Sequence, residues 1–308
     1  MKKDYIAVAD HSSQEIEDIL SLALRLKEEW KAGGNKPILK NKTLAMVFQK
    51  PSLRTRVSFD MAMRHLGGDA LYLSPAEIGL GKRESIADVA RVLSGYVDVI
   101  MARVFAHDHI LQLSEWASVP VINGLTDYNH PCQGMADALT IIEEFGSMKG
   151  LNIVFIGDGN NVAVSLLHVV AKLGAAKFTI ACPKGYEIPK NALEIAKPIL
   201  AETGTKFEIV RDPREAVKNA QVLYTDTWTS MGQEAEAAVR EKHFALYQVN
   251  EELVDAADPK AIVMHCLPAH RGQEITDAVA DGPHSRLFPQ AENRMHAQKA
   301  ILVNVLGE

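Results

Sequence analysis

The stretch QKPSLRTRVSF, residues 49 to 59, places three basic side chains between an apolar run and the predicted start of a helix. Ser52 is a candidate N-cap there, so the three amides that follow it, up to that of Thr55, are predicted to point outward without partners. The N-terminus of a helix binds anions, and the Arg54 guanidinium can add a bidentate contact to a phosphate. We therefore favour a small-anion site over the alternative, a solvated basic helix start.

The stretch IGDGNN, residues 156 to 161, follows an apolar run in the way that a dinucleotide-binding turn would. However, Val162 stands where the third glycine of that fingerprint belongs, and the next apolar run ends in ACPK without an acidic residue. A nucleotide site is therefore not favoured. Asn160 and Asn161 could instead donate amide hydrogens to a carboxylate, and a plain strand-to-helix turn explains the stretch equally well.

A further polar stretch after an apolar run, TDTWTSMG at residues 225 to 232, carries one acidic side chain, Asp226. Its carboxylate could meet a cation, and Ser230 and Met231 beside a glycine are typical of a loop that closes over a ligand. The alternative is a surface turn, against which Trp228 argues.

Histidine and cysteine occur close together in HPCQ, residues 130 to 133, and in HCLPAHRG, residues 265 to 272. One His and one Cys without a matching pair nearby do not make a zinc site, so we expect neither a metal nor a cofactor. A nucleophilic Cys266 would need His265 or His270 as its base, but adjacent residues of a strand point to opposite faces, so His265 is not well placed to activate it. A thiol-enzyme mechanism is therefore a minor alternative.

Composition limits the class of protein. The chain has 308 residues, 47% of them hydrophobic and 23% charged, and a net charge of −6. These values, with no long uncharged apolar stretch, predict one large or two medium domains that bind neither a membrane nor duplex nucleic acid. The three cysteines are widely spaced, which suits reduced thiols, and the N-terminal residues lack a signal-peptide pattern, so we expect a cytoplasmic location.

Around the polar stretches, apolar runs typical of strands alternate with helical patterns. A first helix begins behind Ser12, whose capping-box partner is Glu15, and helices then alternate with the runs TLAMVF, LYL, VDVIMA and VPVI. A long helix over 134–150 leads to a second series, and residues 292–306 are predicted to form a closing helix. The predicted fold class is therefore α/β, with two doubly wound parallel-sheet domains joined by bridging helices.

The unusual side chains share one position in this pattern, directly after a predicted strand. In parallel α/β sheets the carboxyl ends of the strands carry the ligand. Five clusters lie at such ends, namely residues 49–55, Arg103, residues 157–161, residues 226–232 and residues 265–268. Their shared position indicates binding of small molecules.

Taken in order, SLRTR, HPCQ, DGNN, DTWTSMG and HCLP resemble the aspartate/ornithine transcarbamoylase family, and HPCQ and HCLP fit its ornithine branch better than its aspartate branch. The resemblance covers nearly the whole chain. It implies transfer of a carbamoyl group from carbamoyl phosphate to the δ-amine of ornithine, giving citrulline and phosphate. It also implies a carbamoyl-phosphate-binding domain over 1–145, completed by a C-terminal helix over about 290–308, and an ornithine-binding domain over 146–289.

By motif match, the resemblance assigns carbamoyl phosphate to one set of residues. This set comprises Ser52, Leu53, Arg54, Thr55, Arg103, His130, Gln133, Cys266, Leu267 and Arg294. Thr55, Arg103 and His130 are the candidates that would stabilise charge on the carbonyl oxygen. Ser52 and Arg54 would stabilise the leaving phosphate.

A second set, Asn161, Asp226, Ser230 and Met231, matches the family's binders of ornithine. A carboxylate suits a cationic acceptor, whereas an aspartate-using relative would need added basic groups. The δ-amine has a lysine-like pKa and must lose a proton before it attacks. We hypothesise that Asp226 and Cys266 position this amine while the leaving phosphate takes the proton. The expected catalytic residues are Arg103, His130, Asp226 and Cys266.

One segment departs from the family pattern. Many relatives carry a glutamine where Gly79 aligns in EIGLGKRES, residues 77 to 85, a loop that reaches a neighbouring subunit's site in that family. The departure affects the predicted contact with the neighbouring subunit and not the reaction. The family resemblance implies a homotrimer or a multiple of trimers. Three alternatives remain: another amine acceptor such as putrescine, against which Asn161 argues, a catabolic role, and a noncatalytic binding protein.

Overall fold

The computed structural model describes residues 3–229, 232 and 234–307. The chain divides into two compact units, Met1–Leu139 with Glu292–Glu308, and Thr140–Ala291. One four-stranded and one five-stranded sheet are present, and every strand pair in them is parallel. The predicted α/β class with two parallel-sheet domains is confirmed.

The first sheet has the strand order β2-β1-β3-β4. Its strands are β1 Thr43–Phe48, β2 Asp69–Leu73, β3 Val99–Arg103 and β4 Val121–Leu125. The helices of this part of the chain are α1 Ser13–Lys31, α2 Leu53–His65, α3 Pro75–Ile78, α4 Ile86–Ser94, α5 His107–Trp116 and α6 Pro131–Phe145. Strands β1, β3 and β4 are almost entirely buried, which agrees with their nearly continuous apolar sequences.

The second sheet has the order β7-β6-β5-β8-β9. Its strands are β5 Asn152–Ile156, β6 Lys177–Ala181, β7 Lys206–Val210, β8 Val222–Thr225 and β9 Ile262–His265. The remaining helices are α7 Asn161–Lys172, α8 Lys190–Thr203, α9 Pro213–Ala216, α10 Ala237–Phe244, α11 Glu251–Asp255, α12 Asp277–Ala280 and α13 Leu287–Leu306. The division between the units falls inside α6 and α13.

Local signals in the sequence start several helices where they were predicted. The Ser12 hydroxyl accepts from the amide of Glu15, and the Glu15 carboxylate accepts from the amide of Ser12 at 2.9 Å. Ser85 caps α4 in the same way by accepting from the amide of Asp88. Both helices then bury an apolar face, and that of α4 packs against residues of β1 and β3.

Two helix boundaries differ from the prediction. The helix predicted over 134–150 begins three residues earlier, at Pro131, and ends at Phe145. Proline is favoured at the first position of a helix because its missing amide would have no helical partner there. Gly146, with φ of 77°, ends the helix. The closing helix is longer than predicted and begins at Leu287.

Two global expectations concern the thiols and the membrane. Cys132, Cys182 and Cys266 are all free thiols, as their spacing indicated. None of the helices in the described part of the chain is both long enough and apolar enough to cross a bilayer.

Candidate active site

In the first unit, the predicted anion site lies where β1 leads into α2. Ser52 has an extended backbone and is the N-cap of α2, as predicted. Its hydroxyl oxygen accepts from the amide of Thr55 at 3.4 Å, so the expectation that all three following amides lack partners is wrong for Thr55. A short polar N-cap side chain can turn back onto the first helical turn, which explains the difference. Leu53 is exposed and Arg54 is half-buried.

The Thr55 hydroxyl oxygen accepts hydrogen bonds from two guanidinium groups. Arg294 donates to Thr55 Oγ1 from Nη2 at 2.9 Å, and Arg103 donates to it from Nη1 at 3.3 Å. Arg103 ends β3, and the pairing of β3 with β1 places it opposite Phe48, four residues before Ser52. Two guanidinium groups that donate to one neutral oxygen are an electrostatic setting that suits a phosphate group.

His130 and Gln133 lie at the start of α6 beside these arginines, and both are buried. Burial, and then the charges of Arg294, Arg103 and Arg54, hold the pKa of His130 well below its usual range. The imidazole is therefore neutral near pH 7 and offers one N–H as a donor. Gln133 Oε1 accepts from Arg294 Nη1 at 2.6 Å. Hydrogen bonds thus join the predicted residues Thr55, Arg103, Gln133 and Arg294, of which all but the half-buried Arg103 are buried.

In the second unit, the turn after β5 is held by Asn160. Its side-chain oxygen caps α7 by accepting from the amides of Val162 and Ala163, at 3.0 and 3.1 Å. Its Nδ2 donates to Asp226 Oδ2 at 2.8 Å. The predicted ligand Asn161 is the first residue of α7, and Asn160 is the asparagine that contacts Asp226.

A glycine makes this turn possible. The amide of Gly159 donates to the carbonyl of Tyr186 at 2.8 Å. A β-carbon at this position would lie 2.4 Å from the backbone of Glu187 and Ile188. Gly159 therefore serves the close approach of two backbone segments.

Asp226 and Cys266, which end neighbouring strands, are brought into contact. The Cys266 thiol donates to Asp226 Oδ1 at 3.0 Å, and Asp226 is buried. His265 has different partners, because its Nδ1 accepts from the amide of Leu267 at 2.9 Å and its Nε2 lies 3.0 Å from Glu274 Oε1. The thiol thus contacts a carboxylate, and His265, one of the two proposed bases, is engaged by Leu267 and Glu274.

These groups also include three possible metal ligands. Asp226, His265 and Cys266 bring one ligand atom each within 4.8 Å of one another. Each of the three is already engaged in a hydrogen bond, and a metal on His265 would have to displace the Leu267 amide or Glu274.

The structure places the remaining predicted residues as follows. Leu267 follows Cys266 with an unusual positive φ of 58°, which the bond from its amide to His265 helps to hold. Ser230 and Met231 lie outside the described residues. Gly79 ends α3 with φ of 51°, and a β-carbon there would lie 2.8 Å from Arg83 Cβ, so a glutamine at this position would require the loop to shift.

Sequence reasoning missed three buried charged residues that support these groups: Asp137, Arg240 and Glu274. Arg240 Nη1 donates to Asp158 Oδ2 at 2.8 Å and to the Trp228 carbonyl at 3.0 Å. Asp137 accepts from Gln133 Nε2 at 2.8 Å. The spacing of four residues between Gln133 and Asp137 was the one local signal, since such residues are neighbours on a helix.

Comparisons with known proteins match both halves of the chain to one family. Residues 3–143 match the family model described as "Aspartate/ornithine carbamoyltransferase, carbamoyl-P binding domain", and residues 149–305 match its "Asp/Orn binding domain". The chain is 53% identical to the ornithine carbamoyltransferase of Pyrococcus abyssi over 305 residues, which covers 99% of this chain and 96% of that one. Identity and coverage are the same for "Ornithine carbamoyltransferase, anabolic" of Pyrococcus furiosus. The solved structure of the P. furiosus enzyme matches with a TM-score of 0.96, at 52% identity, over 99% of this chain and 97% of that chain.

Proposed function

The chain belongs to the aspartate/ornithine carbamoyltransferase family, and from this premise we propose that it transfers the carbamoyl group of carbamoyl phosphate to the δ-amine of L-ornithine. The products are L-citrulline and phosphate. The anabolic direction is supported by the P. furiosus relative, whose name includes that word. Neither a catabolic role nor an acceptor such as putrescine is favoured.

One observation carries the proposal: the guanidinium groups of Arg103 and Arg294 meet on Thr55 Oγ1 in a buried region beside neutral His130. Carbamoyl phosphate carries its negative charge on the phosphate and a neutral carbonyl beside it. The two cations suit the phosphate, and the neutral N–H of His130 suits the carbonyl oxygen, on which charge develops during attack.

The proposed contacts to carbamoyl phosphate are those that the family's motifs imply. Ser52, Arg54, the Thr55 hydroxyl and the amides of Leu53 and Arg54 would bind the phosphate, with Arg103 and Arg294. His130 and Gln133 would bind the carbamoyl group, and Cys266 and Leu267 would accept from its NH2 through their main-chain carbonyls. The region over 1–145 with 290–308 is thus proposed to bind carbamoyl phosphate, and the region over 146–289 to bind ornithine.

For ornithine, we propose that Asp226 meets the cationic amino-acid end and that Asn161, Ser230 and Met231 complete its binding. The Asp226 carboxylate already accepts from Asn160 and from the Cys266 thiol, so its oxygens are held in place before ornithine binds. A pre-positioned anion favours a cationic amino acid over an anionic one.

The chemistry is a direct displacement. The neutral δ-amine attacks the carbonyl carbon, a C–N bond forms, and the C–O bond to phosphate breaks with its electron pair leaving on the phosphate. The phosphate takes the proton that the amine loses. Proximity and charge stabilisation supply the rate enhancement, and no covalent enzyme intermediate is needed.

The contribution of Cys266 is tested by Cys266→Ser and Cys266→Ala. Serine keeps a donor to Asp226, whereas alanine removes it, so alanine should lower turnover more and change the pH profile. Full activity with an unchanged pH profile in Cys266→Ala would remove Cys266 from the mechanism.

The experiment for the function itself is citrulline formation from carbamoyl phosphate by the purified chain, with ornithine and putrescine in parallel. Arg54→Ala serves as the control for the phosphate site, and Asp226→Asn serves as the control for the site of the acceptor, ornithine. Ornithine-dependent turnover that both variants lose is the expected result. A preference for putrescine would overturn the acceptor assignment, and no turnover with either amine would support a noncatalytic binding protein.

We also propose a homotrimer, or a multiple of trimers, in the cytoplasm. An apolar stripe on α2 supports assembly, because Leu53, Val57 and Met61 recur every fourth residue and are 74%, 48% and 36% exposed. A second copy of the chain would cover this stripe.

The proposed cytoplasmic location is supported by the three free thiols, which suit a reducing compartment.

A further inference from the structure

We infer that Asp137 is a positioning residue for the anion site: its carboxylate, acting through the Gln133 amide, holds the Arg294 guanidinium against Thr55. The inference rests on the proposed function, because it assigns the phosphate of carbamoyl phosphate to that guanidinium. It adds a residue that none of the sequence motifs contains.

The contacts form a continuous chain. Gln133 Nε2 donates to Asp137 Oδ1 at 2.8 Å, one turn further along α6. On its other side, Gln133 Oε1 accepts from Arg294 Nη1 at 2.6 Å, and Arg294 Nη2 donates to Thr55 Oγ1 at 2.9 Å. All four side chains are buried, so each bond to a charged group lies in a medium where it is strong.

The Gln133 amide has one favourable orientation between these neighbours. A guanidinium only donates hydrogen bonds, so the amide oxygen faces Arg294 and the amide NH2 faces Asp137 Oδ1. A flipped amide would set NH2 against the guanidinium and two oxygens against each other. Asp137 therefore selects the orientation in which Gln133 presents an acceptor to Arg294.

A carboxylate near an anion site could also act as a charge alone. In that role Asp137 would oppose phosphate binding, and its removal would tighten the binding. As a positioning residue it supports phosphate binding, and its removal weakens the binding. The two roles predict changes of opposite sign, so the direction of the change separates them.

The test measures the Kd of inorganic phosphate by titration calorimetry on the full chain with Asp137→Leu or Asp137→Asn. Inorganic phosphate lacks the carbamoyl group, so its Kd reports on the phosphate contacts alone. Leucine removes the acceptor, and we expect the Kd to rise about tenfold or more, as for the loss of one hydrogen bond to a charged group. Asparagine keeps an oxygen that can face Gln133. The phosphate Kd of Asp137→Asn should therefore stay within roughly threefold of that of the unmodified chain.

Two further variants sharpen the test. Because Asp137 acts through Gln133, Asp137→Leu should raise the Kd less than about twofold when Gln133→Met is already present. Lys299→Leu is the matched control, since Lys299 is also a buried charge of the first unit and donates to Asn35 Oδ1 at 2.6 Å. This control should leave the phosphate Kd unchanged.

A Kd that stays constant or falls in Asp137→Leu overturns the inference, as does a full effect of Asp137→Leu in the Gln133→Met background. If Asp137→Leu does not fold, Gln133→Met replaces it: a raised Kd supports the chain of contacts, and an unchanged Kd overturns it. Citrulline formation by the unmodified chain is measured separately. An unmodified chain that binds phosphate but forms no citrulline rejects the proposed function and leaves the result on Asp137 intact.

Discussion

Thr55 is the residue on which the anion site converges, since its hydroxyl accepts from both Arg103 and Arg294. Thr55→Val keeps the shape of the side chain and removes the hydroxyl. We expect kcat/KM for carbamoyl phosphate to fall by about 100-fold or more, the usual cost of removing one group that stabilises the transition state. Thr55→Ser keeps the oxygen and should retain most of the activity. Equal kinetics for valine and serine would contradict a role for the hydroxyl.

His130 allows a prediction about pH. Its pKa is held well below the usual range by burial and by three arginines, so the imidazole stays neutral as the pH falls through the normal histidine range. A group that does not titrate there cannot cause a change of rate there. We expect kcat/KM for ornithine to rise between about pH 6 and 9 because the acceptor amine loses its proton. In His130→Asn, kcat/KM should be lower at every pH, while its dependence on pH keeps the same slope. A flatter pH dependence in this variant would contradict a neutral His130.

At the scale of elements, Arg240 ties helix α10 to two loops, because it bonds both the Asp158 carboxylate and the Trp228 carbonyl. Burial raises the pKa of Asp158, and Arg240 opposes that rise. Arg240→Met would leave this carboxylate buried without its cation and release the loop that follows Asp226.

We expect KM for ornithine to increase about tenfold or more in Arg240→Met, with KM for carbamoyl phosphate within about twofold, since one broken buried pair costs several kcal/mol locally. Steady-state kinetics with each substrate varied measure this split. Arg214→Met is the matched control, because it breaks the exposed pair with Glu252 in the same unit, which is worth little. An equal change in both KM values would indicate general destabilisation instead.

At the scale of the whole molecule, a buried histidine links stability to pH. His296 on α13 is fully buried, and its pKa is lowered to about 3 by burial first and then by Lys299, Lys27, His65 and Lys31. The unfolded chain binds a proton at this position below about pH 6.5, whereas the folded chain does not. The free energy of unfolding therefore falls as the pH drops from 6.5 towards 3, by about 1.4 kcal/mol per pH unit for this one group.

His296→Leu removes the contribution of this histidine to the pH dependence of the free energy of unfolding. The unfolding temperature should therefore decline less steeply below pH 6.5 than it does in the unmodified chain. Scanning calorimetry at several pH values measures both slopes. Identical slopes would show that His296 is protonated in the folded chain.

The exposed apolar stripe of α2 is the proposed interface between copies of the chain. Val57→Lys puts a charge in the exposed apolar stripe of α2 and should lower the sedimenting mass from trimer to monomer, with loss of activity if the site is completed by a neighbour. Val239→Lys is the control, since Val239 is a similarly exposed helical valine on α10. An unchanged mass for Val57→Lys would move the interface elsewhere.

Local sequence patterns were enough to predict most of the elements and to single out most candidate residues. Capping at Ser12 and Ser52, and the apolar strands, depend on interactions over a few residues, so they are visible in a short stretch of sequence. Because the carboxyl ends of parallel strands share one edge, the places of Arg103, Asp226 and Cys266 directly after apolar runs were enough to assign them to binding sites. Arg294 required the family resemblance, since nothing near it signals a phosphate.

Which of these side chains touch depends on contacts between distant parts of the sequence. Arg294 and Thr55 are 239 positions apart, and their contact depends on the return of α13 to the first unit. The same is true of Arg240, which meets Asp158 from 82 positions away. Asp137 was missed for a different reason: its partner is four residues distant, but its importance depends on burial and on Arg294 beyond it. Long-range packing decides burial and charge balance, and no local pattern records either.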